Sequence, residues 1–291
     1  MTSTRRDFIK NTGIAIGSVA IINPIMHAEA FAPENYQTNL TESLGFQVWP
    51  VREKLTADME GTLKVMAKMG FKEVEMCSPF SFAEWGFAPL TKFSGTELRK
   101  MIEAAGLACT SCHYDINELH DHFKDRMEWT HQMGIKQMII TGFWLPEEKS
   151  SADDYRRVAD ELNAIGEKTK AEGIQMGYHN HDQEFQKLGE ELIYDILMDQ
   201  FDPELVKMQF QVAVIRLGYR ASDYFQKYPS RFISAHLSDW SAREGKQVPV
   251  GQGDIDWKEF IKSAAIGGVK NLIVEVPENM FEPSASFLLS L

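Results

Sequence analysis

Residues 154–185 read DYRRVADELNAIGEKTKAEGIQMGYHNHDQEF and contain one complete unit of the pattern that decides the fold. In 154–171, apolar residues recur at steps of three and four, which is typical of an amphipathic helix. Gly173 then ends the helix, because glycine adopts the left-handed conformation of a helix C-cap without strain. A short run with β character, 174–179, follows and leads into His179, Asn180 and His181. The stretch predicts a helix, a glycine turn and a strand with a polar far end.

The same unit recurs at intervals of roughly 30 residues, the length of one βαβ unit. Helical spacing is also found in 59–69, Ser94 is placed to cap another helix, and further helices are predicted to end at Gly70, Gly106, Gly134 and Gly268. Runs of β character are predicted at 44–48, 72–76, 107–113, 136–141, 174–179, 206–211, 231–237 and 271–276. Strands that alternate with helices form a parallel sheet with right-handed crossovers. Eight units in about 250 residues favour an α/β fold of the (β/α)8 TIM barrel type over a doubly wound sheet. No Gly-x-Gly-x-x-Gly follows the first run, which argues against a dinucleotide-binding fold.

The composition excludes several classes of protein. The chain has 291 residues, of which 44% are hydrophobic and 25% charged, so most of it is expected to fold. Lys and Arg number 30 against 42 Asp and Glu, and the net charge of −12 opposes nucleic-acid binding. Beyond the N-terminus no apolar run reaches the ~18 residues that a membrane span needs. We expect a single barrel domain at 44–291 that is not a polytopic membrane protein.

The N-terminal residues have the order of an export signal. TRRDFIK at 4–10 is followed by an uncharged, mostly apolar stretch to residue 26 and by the cleavage pattern Ala28-Glu29-Ala30. The paired arginines resemble a twin-arginine signal, which would occupy 1–30 and be followed by a leader at 31–43. The alternative is an uncleaved membrane-anchoring helix. We expect a periplasmic protein with no stable membrane partner, and a homo-oligomer is left open.

Cys109 and Cys112 have the spacing of a redox pair, but they lie in a predicted strand. Residues three apart on a strand are separated by about 10 Å and point to opposite faces, which is too far for a disulfide. With Cys77 the number of cysteines is odd, so they cannot all pair within one chain. We expect the cysteines to be structural rather than redox-active.

Ionisable and amide side chains gather where the predicted strands end. In a TIM barrel these ends meet at one rim, which carries the active site. The rim residues are Glu75, His113, His179, His181, Asp182, Glu184, Gln211, His236, Asp239 and Glu275. Imidazole and carboxylate groups together suit a divalent metal, with Zn, Mn or Co more natural than Ca. His113 could instead be a core histidine, Asp182 a turn residue and Glu184 a helix cap.

Several stretches in this order carry a resemblance to a known family. They are LGFQV at 44–48, GFKEVE at 70–75, SCH at 111–113, GYHNHDQEF at 177–185, SAHLSD at 234–239, VGQGDIDW at 250–257 and IVE at 273–275. Together they resemble the sugar phosphate isomerase/epimerase family, whose members have a xylose isomerase-like TIM barrel. The resemblance covers residues 42–291, and the stretches at 177–185 and 250–257 are its specific parts.

The resemblance implies a divalent metal held at the ends of the last four strands. The family pattern falls on His179 or His181, Gln211, His236 and Glu275. Two positions depart from it: Gln211 replaces an Asp, and Ser238 replaces a Lys. A glutamine oxygen can bind a metal but brings no charge, so weaker metal binding or a change of chemistry is expected.

The chemistry of such a site is proton transfer next to a carbonyl. We expect Glu275 to bind the metal, His181 or Glu184 to act as acid and base, and Glu75, His113 and Asp239 to contact the substrate. The aromatic residues Trp49, Phe80, Trp85 and Trp144 could pack on a sugar face or simply fill the rim. The leading interpretation is a metal-dependent isomerase or epimerase that acts on a small carbohydrate. The alternatives are a lyase that acts on an oxidised glycoside and a catalytically silent sugar-binding barrel.

Overall fold

The structure, a computed structural model, describes residues 43–143, 145 and 150–291. The predicted export signal, most of the leader and Trp144 lie outside the described residues. Eight parallel strands close into a barrel in which each strand pairs with its sequence neighbours and the first pairs with the last. The strands are β1 (Gly45–Gln47), β2 (Glu73–Cys77), β3 (Ala108–Tyr114), β4 (Gln137–Ile140), β5 (Gln175–His179), β6 (Val206–Gln211), β7 (Phe232–Leu237) and β8 (Asn271–Val274). The TIM barrel predicted from the sequence is confirmed, and each predicted run overlaps one strand, although β2 and β3 extend one residue beyond their runs.

Helices connect successive strands and cover the outside of the barrel. They are α1 (Arg52–Ala57), α2 (Met59–Lys68), α3 (Gly95–Ala104), α4 (Ile116–Met133), α5 (Ala152–Ala171), α6 (Ile193–Gln200), α7 (Ala221–Lys227), α8 (Trp257–Gly267) and α9 (Phe281–Leu288). Their apolar faces pack on outward-facing strand residues such as Phe46, Met138 and Phe210, which are fully buried. The hydrophobic core therefore lies between the barrel and its helices.

The ends of the helices follow the signals in the sequence. Ser94 accepts from the backbone N of Glu97, whose carboxylate accepts from the Ser94 N, so a capping box begins α3. Ser151 and Asp154 form the same arrangement before α5. The glycines predicted to end helices all have positive φ, for example 80° at Gly134 after α4. Each turn directs the chain into the next strand.

The inside of the barrel is polar, whereas bulky aliphatic side chains usually fill it. At the amino ends of the strands, the Glu73 carboxylate accepts hydrogen bonds from Thr110 Oγ1 and Asn271 Nδ2, both at 3.0 Å. Gln137 Nε2 donates to Asn271 Oδ1 at 2.7 Å. Burial raises the pKa of Glu73. These hydrogen bonds join four strands at the amino end of the barrel.

Cys77, Cys109 and Cys112 are buried free thiols, in agreement with the expected absence of a disulfide. Burial raises the pKa of each thiol, which suppresses the reactive thiolate. None of the helices in the described part of the chain is long and apolar enough to span a membrane.

Candidate active site

A cavity of about 260 Å³ lies at the carboxyl ends of the barrel strands. We call it the inner cavity. It is lined by Trp49, Cys77, Phe82, His113, Thr141, His179, His181, Gln211 and Glu275. A second cavity of about 650 Å³, which we call the outer cavity, shares Trp49, Phe82, Thr141, His181 and Gln211 with it. The strand ends thus converge on one site with a wider entrance.

Glu75 lies beneath the inner cavity and organises its floor. Its carboxylate accepts from Gln47 Nε2 at 2.8 Å and from Gln209 Nε2 at 2.7 Å, and it also accepts from the hydroxyl of Ser111. The imidazoles of His113 and His236 contact it as well, His113 Nε2 at 3.0 Å. Burial would raise the pKa of Glu75, but these two histidines outweigh it and hold that pKa well below the ordinary value. Glu75 therefore stays ionised and orients both rings.

His236 lies between two carboxylates. Its Nε2 contacts Glu75 and its Nδ1 is 2.9 Å from Oε2 of Glu275. Burial would lower the pKa of His236, but the two carboxylates raise it to about 10. Burial alone would raise the pKa of Glu275. The charge of His236 has the larger, opposite effect, so the pKa of Glu275 lies below its ordinary value. In the metal-free protein His236 is an imidazolium that holds both carboxylates in place.

Gln211 completes this side of the site. Its Nε2 donates to Glu275 Oε2 at 2.7 Å, and its Oε1 accepts from the backbone N of Ala213 at 3.2 Å. Its own backbone N donates to Asn180 Oδ1 at 3.1 Å. The glutamine that replaces the family's aspartate therefore points into the inner cavity, beside the carboxylate at the end of β8.

His179 and His181 lie on the strand and loop next to Gln211, and their ring centroids are 4.8 Å apart. Nδ1 of His179 is buried and has no hydrogen-bond partner among the described residues. Burial is the main cause that holds the pKa of His179 well below its ordinary value. The nearby imidazoles lower it further, with that of His236 having the largest effect among them. Desolvation also lowers the pKa of His181, and the charges of Glu184 and Glu275 only partly oppose it. Both rings are neutral at pH 7, and His181 is accessible from both cavities.

The site has the donors that a divalent metal needs. One ring nitrogen from each of His113, His179 and His236 lies within 4.8 Å of the others. Bonds of about 2.0–2.1 Å to one zinc ion require closer nitrogens, so the rings would have to converge. The unpartnered Nδ1 of His179 supports the fit, because an orphaned buried nitrogen is unfavourable unless something binds it. Of the family-pattern set, His179, Gln211 and Glu275 line the inner cavity. His236 is fully buried beside them, with its ring centroid 4.5 Å from that of His179, and Glu75 supports it from behind.

The predicted substrate contacts of Glu75 and the acid–base role of Glu184 do not agree with the geometry. Glu75 is 1% exposed and lies below the histidines rather than in the cavity wall. Glu184 is completely buried and accepts from Tyr178 Oη and from the backbone N of His181, both at 2.6 Å. Glu184 therefore positions the loop that carries His181. His113, by contrast, lines the inner cavity as expected.

Asp239 was also predicted to contact the substrate, and the structure corrects this. Its buried carboxylate accepts from the backbone N of Gly251 and Gly253 and from Trp257 Nε1, at 3.0, 3.1 and 3.0 Å. A Cβ on Gly253 would lie 2.1 Å from Asp239 Oδ1, so only glycine allows this approach. The motif at 250–257 is thus a loop wrapped around a carboxylate. Ser238, the second departure from the family pattern, is 2% exposed and does not line the inner cavity.

Three polar residues of the site were missed as separate functional groups: Gln47, Ser111 and Gln209. Each bonds to Glu75, and Gln209 Oε1 is also 2.8 Å from His113 Nε2. A signal was present, because Ser111 and Gln209 lie two residues before His113 and Gln211 on their strands. Alternate strand residues share a face, so the residues that precede each rim group also point into the barrel.

The aromatic residues proposed for the entrance have different places. Trp49 lines both cavities, and Trp85 lines the outer cavity. Phe80 instead packs against Trp129, with ring centroids 6.1 Å apart, and lies 3.7 Å from the guanidinium of Arg126. It belongs to the packing behind the entrance.

Comparison with known proteins gives concordant results. A family model described as the xylose isomerase-like TIM barrel matches residues 63–290. Inosose dehydratase 2 of Bacillus cereus is 24% identical over 190 residues, which are 58% of this chain and 62% of that protein. The match thus spans less than two thirds of that relative's length.

Two solved structures share the fold. A sugar phosphate isomerase/epimerase from Parabacteroides distasonis superposes with a TM-score of 0.71 at 23% identity, over 86% of this chain and 94% of that one. A protein named IOLI, solved with a zinc atom, has a TM-score of 0.62 at 16% identity, over 85% and 94% of the two chains.

Proposed function

Because the chain belongs to the xylose isomerase-like TIM barrel family, we propose that it is an enzyme that isomerises or epimerises a sugar by moving a proton next to a carbonyl. The superfamily contains sugar isomerases, epimerases and dehydratases, which supports an enzyme with a carbohydrate substrate. The observation that carries the proposal is that neutral His181 and Glu275 line the same cavity, with Glu275 hydrogen-bonded to His236 and Gln211.

The residues of this chain supply the proton transfer. His181 is accessible and neutral at pH 7, so its free ring nitrogen can accept a proton from a carbon acid in the cavity. Returning the proton to the former carbonyl carbon gives an isomer, whereas an epimer requires a second group, on the other side of the substrate, to deliver a proton to the opposite face of the same carbon. Glu184 holds the backbone of His181 in place. His113 and Gln211 line the same cavity, where they can bind substrate hydroxyls.

We also propose that the site binds a divalent metal through His179, His236 and Glu275, with His113 or Gln211 as a further ligand. Such an ion would polarise the carbonyl and acidify the neighbouring C–H bond. A donor set rich in imidazole favours zinc or cobalt over manganese. The ionised groups of the site are two carboxylates and one imidazolium, so the site has an excess of negative charge. A divalent cation would neutralise this excess.

An elimination is the second candidate, because a matching curated protein is an inosose dehydratase. The first step would be the same: His181 takes the proton next to the carbonyl. The electron pair of the broken C–H bond then forms a C=C bond as the hydroxyl on the β-carbon leaves, takes up a proton and departs as water. The replacements at Gln211 and Ser238 motivate a third candidate, a barrel that binds sugars without turnover.

Exchange of substrate protons with solvent distinguishes these candidates. The zinc-loaded full chain is incubated in D2O with a panel of ketoses, aldoses and inososes, and deuterium uptake is followed by NMR. We expect uptake at the carbon next to the carbonyl, with a new sugar for isomerisation or an unsaturated product for elimination. His181→Ala should abolish uptake, while His131→Ala, at an exposed histidine on α4 that contacts Glu172, should not change it. Binding without exchange in the wild type would refute the catalytic proposal and leave the silent barrel.

A further inference from the structure

We propose that the outer cavity binds a second sugar ring, so that the substrate is a disaccharide or a longer oligosaccharide whose reacting ring occupies the inner cavity. This inference rests on the proposed function of the inner cavity. It assigns a binding role to the entrance, which the catalytic proposal does not use.

The volumes of the two cavities support a ligand with two units. The inner cavity has a volume of about 260 Å³, and in the proposed function the reacting sugar ring occupies it. The outer cavity of about 650 Å³ is more than twice as large and continues directly from it. A monosaccharide would leave the outer cavity empty.

One wall of the outer cavity is aromatic. Trp49, Phe82 and Trp85 form it, and the Trp49 ring centroid is 5.9 Å from those of both other residues. Trp85 is 57% exposed and is one of few large apolar side chains on the surface of the described residues. A flat aromatic face beside a cavity can pack on the C–H face of a sugar ring. The exposed face of Trp85 would then be covered by the ligand.

Arg52 links the two loops that form this wall. Arg52 Nε donates to the carbonyl O of Trp85 at 3.2 Å, and its Nη1 donates to the carbonyl O of Trp49 at 2.9 Å. The same guanidinium lies 4.8 Å from the centre of a Trp49 ring. One side chain therefore ties together the two loops that carry the tryptophans. Preorganised groups bind more tightly, because less conformational entropy is lost on binding.

The rest of the lining contains polar groups beside Phe143 and Ala213, and these polar groups favour a sugar over an aromatic group as the occupant. Asp182 and Arg216 form an ion pair that joins the loops after β5 and β6, and Gln183, Gln186 and Asp115 also line the outer cavity. Carboxylate, amide and guanidinium groups can bind pairs of hydroxyls at the edge of a sugar ring. An aryl group would leave them without partners, which is unfavourable once water is displaced.

Binding measurements on Trp85 variants test the inference. The zinc-loaded full chain is titrated calorimetrically with cellobiose, maltose and lactose, with glucose and galactose, and with p-nitrophenyl β-glucoside. We expect at least one disaccharide to bind tenfold or more tightly than its component monosaccharides, a difference of about 1.4 kcal/mol. Trp85→Ala should remove this advantage and change monosaccharide Kd values less than twofold. Trp85→Phe should retain most of it, and Val65→Ala, at a 51% exposed residue on α2, should have no effect.

The possible outcomes separate this inference from the proposed function. If disaccharides bind no more tightly than monosaccharides, or if Trp85→Ala weakens both equally, the second-ring site is wrong even when monosaccharides still bind and exchange protons. If the aryl glucoside binds more tightly than every disaccharide, the outer cavity takes an aromatic group and the sugar assignment is wrong. If no carbohydrate binds at all, the proposed function fails together with this inference.

Discussion

Replacing Gln211 by glutamate tests the charge balance of the site with almost no change in shape. Gln211 Nε2 lies 2.7 Å from Glu275 Oε2, so the variant would place two carboxylate oxygens at hydrogen-bonding distance. Two unit charges at 2.7 Å repel by about 6 kcal/mol at an effective dielectric constant near 20. The pair can avoid this by taking up one proton. For a carboxyl group with an ordinary pKa of 4.5, that costs about 3 kcal/mol at pH 7.

The proton uptake is the less costly route, so it sets the expected loss of stability. In the metal-free protein we expect the free energy of unfolding to fall by about 3 kcal/mol at pH 7, or about 10 °C in Tm. The loss should shrink to less than about 1 kcal/mol at pH 5, because little free energy is then needed to protonate the pair. A divalent ion replaces the shared proton, so zinc should restore the Tm and bind more tightly to the variant than to the wild type.

Thermal unfolding with EDTA and with added zinc, at pH 5 and pH 7, provides the measurements. Gln211→Met is the matched control, because it removes the hydrogen bond to Glu275 without adding a charge. If Gln211→Glu loses no more stability than Gln211→Met, the two side chains do not meet as described. If zinc does not raise the Tm of the variant, the cavity is not a cation site.

Three further predictions concern other parts of the molecule. Burial raises the pKa of Glu118 to about 7, so its contribution to stability is complete below pH 4.5 and is lost as the pH rises through 7. The free energy of unfolding should therefore decrease between pH 5 and 8 by about 2 kcal/mol less in Glu118→Gln than in the wild type. Equal pH slopes of the two proteins in urea unfolding would contradict this. Asp239→Asn should lower the free energy of unfolding, measured in urea, by about 2–5 kcal/mol, because the amide NH2 of the asparagine would face backbone N–H donors. The control Asp256→Asn should be nearly neutral, since asparagine caps α8 equally well. His179→Ala should weaken zinc binding at least tenfold in competition with a chromogenic chelator, with His131→Ala unchanged; equal affinities would remove His179 from the ligand set.

The fold was predictable because its signals are local. The spacing of apolar residues in 154–171 defines α5, Ser94 begins α3, and Gly134 ends α4, and each depends on neighbours within a few residues. Eight alternations of this kind in a chain of this length leave few topologies. The convergence of His236 and Glu275 followed from the same logic, because parallel strands place their carboxyl ends at one rim.

The roles of individual carboxylates were less predictable, because a role depends on the depth and direction of the side chain. Glu75, Glu184 and Asp239 all stand near strand ends; Glu75 and Asp239 were predicted to contact the substrate, and Glu184 was a candidate acid and base. In the structure the first supports two imidazoles, the second anchors a loop and the third binds the backbone of another loop. Gln209 and His236, which contact Glu75, lie 134 and 161 residues away in the chain. The donors to Glu184 and Asp239 are within 18 residues, but they contact the carboxylates only because the intervening loops fold back.

The order of residues along the chain thus contained the eight-stranded barrel, the direction of its strands and the rim at which polar groups collect. Only the closed barrel brought Glu75 against His236, 161 positions away, and left a ring nitrogen of His179 beside them with no hydrogen-bond partner among the residues that the structure describes. The reason is physical: secondary structure arises from interactions between near neighbours, whereas the charge state of a buried group depends on every group that the fold packs around it.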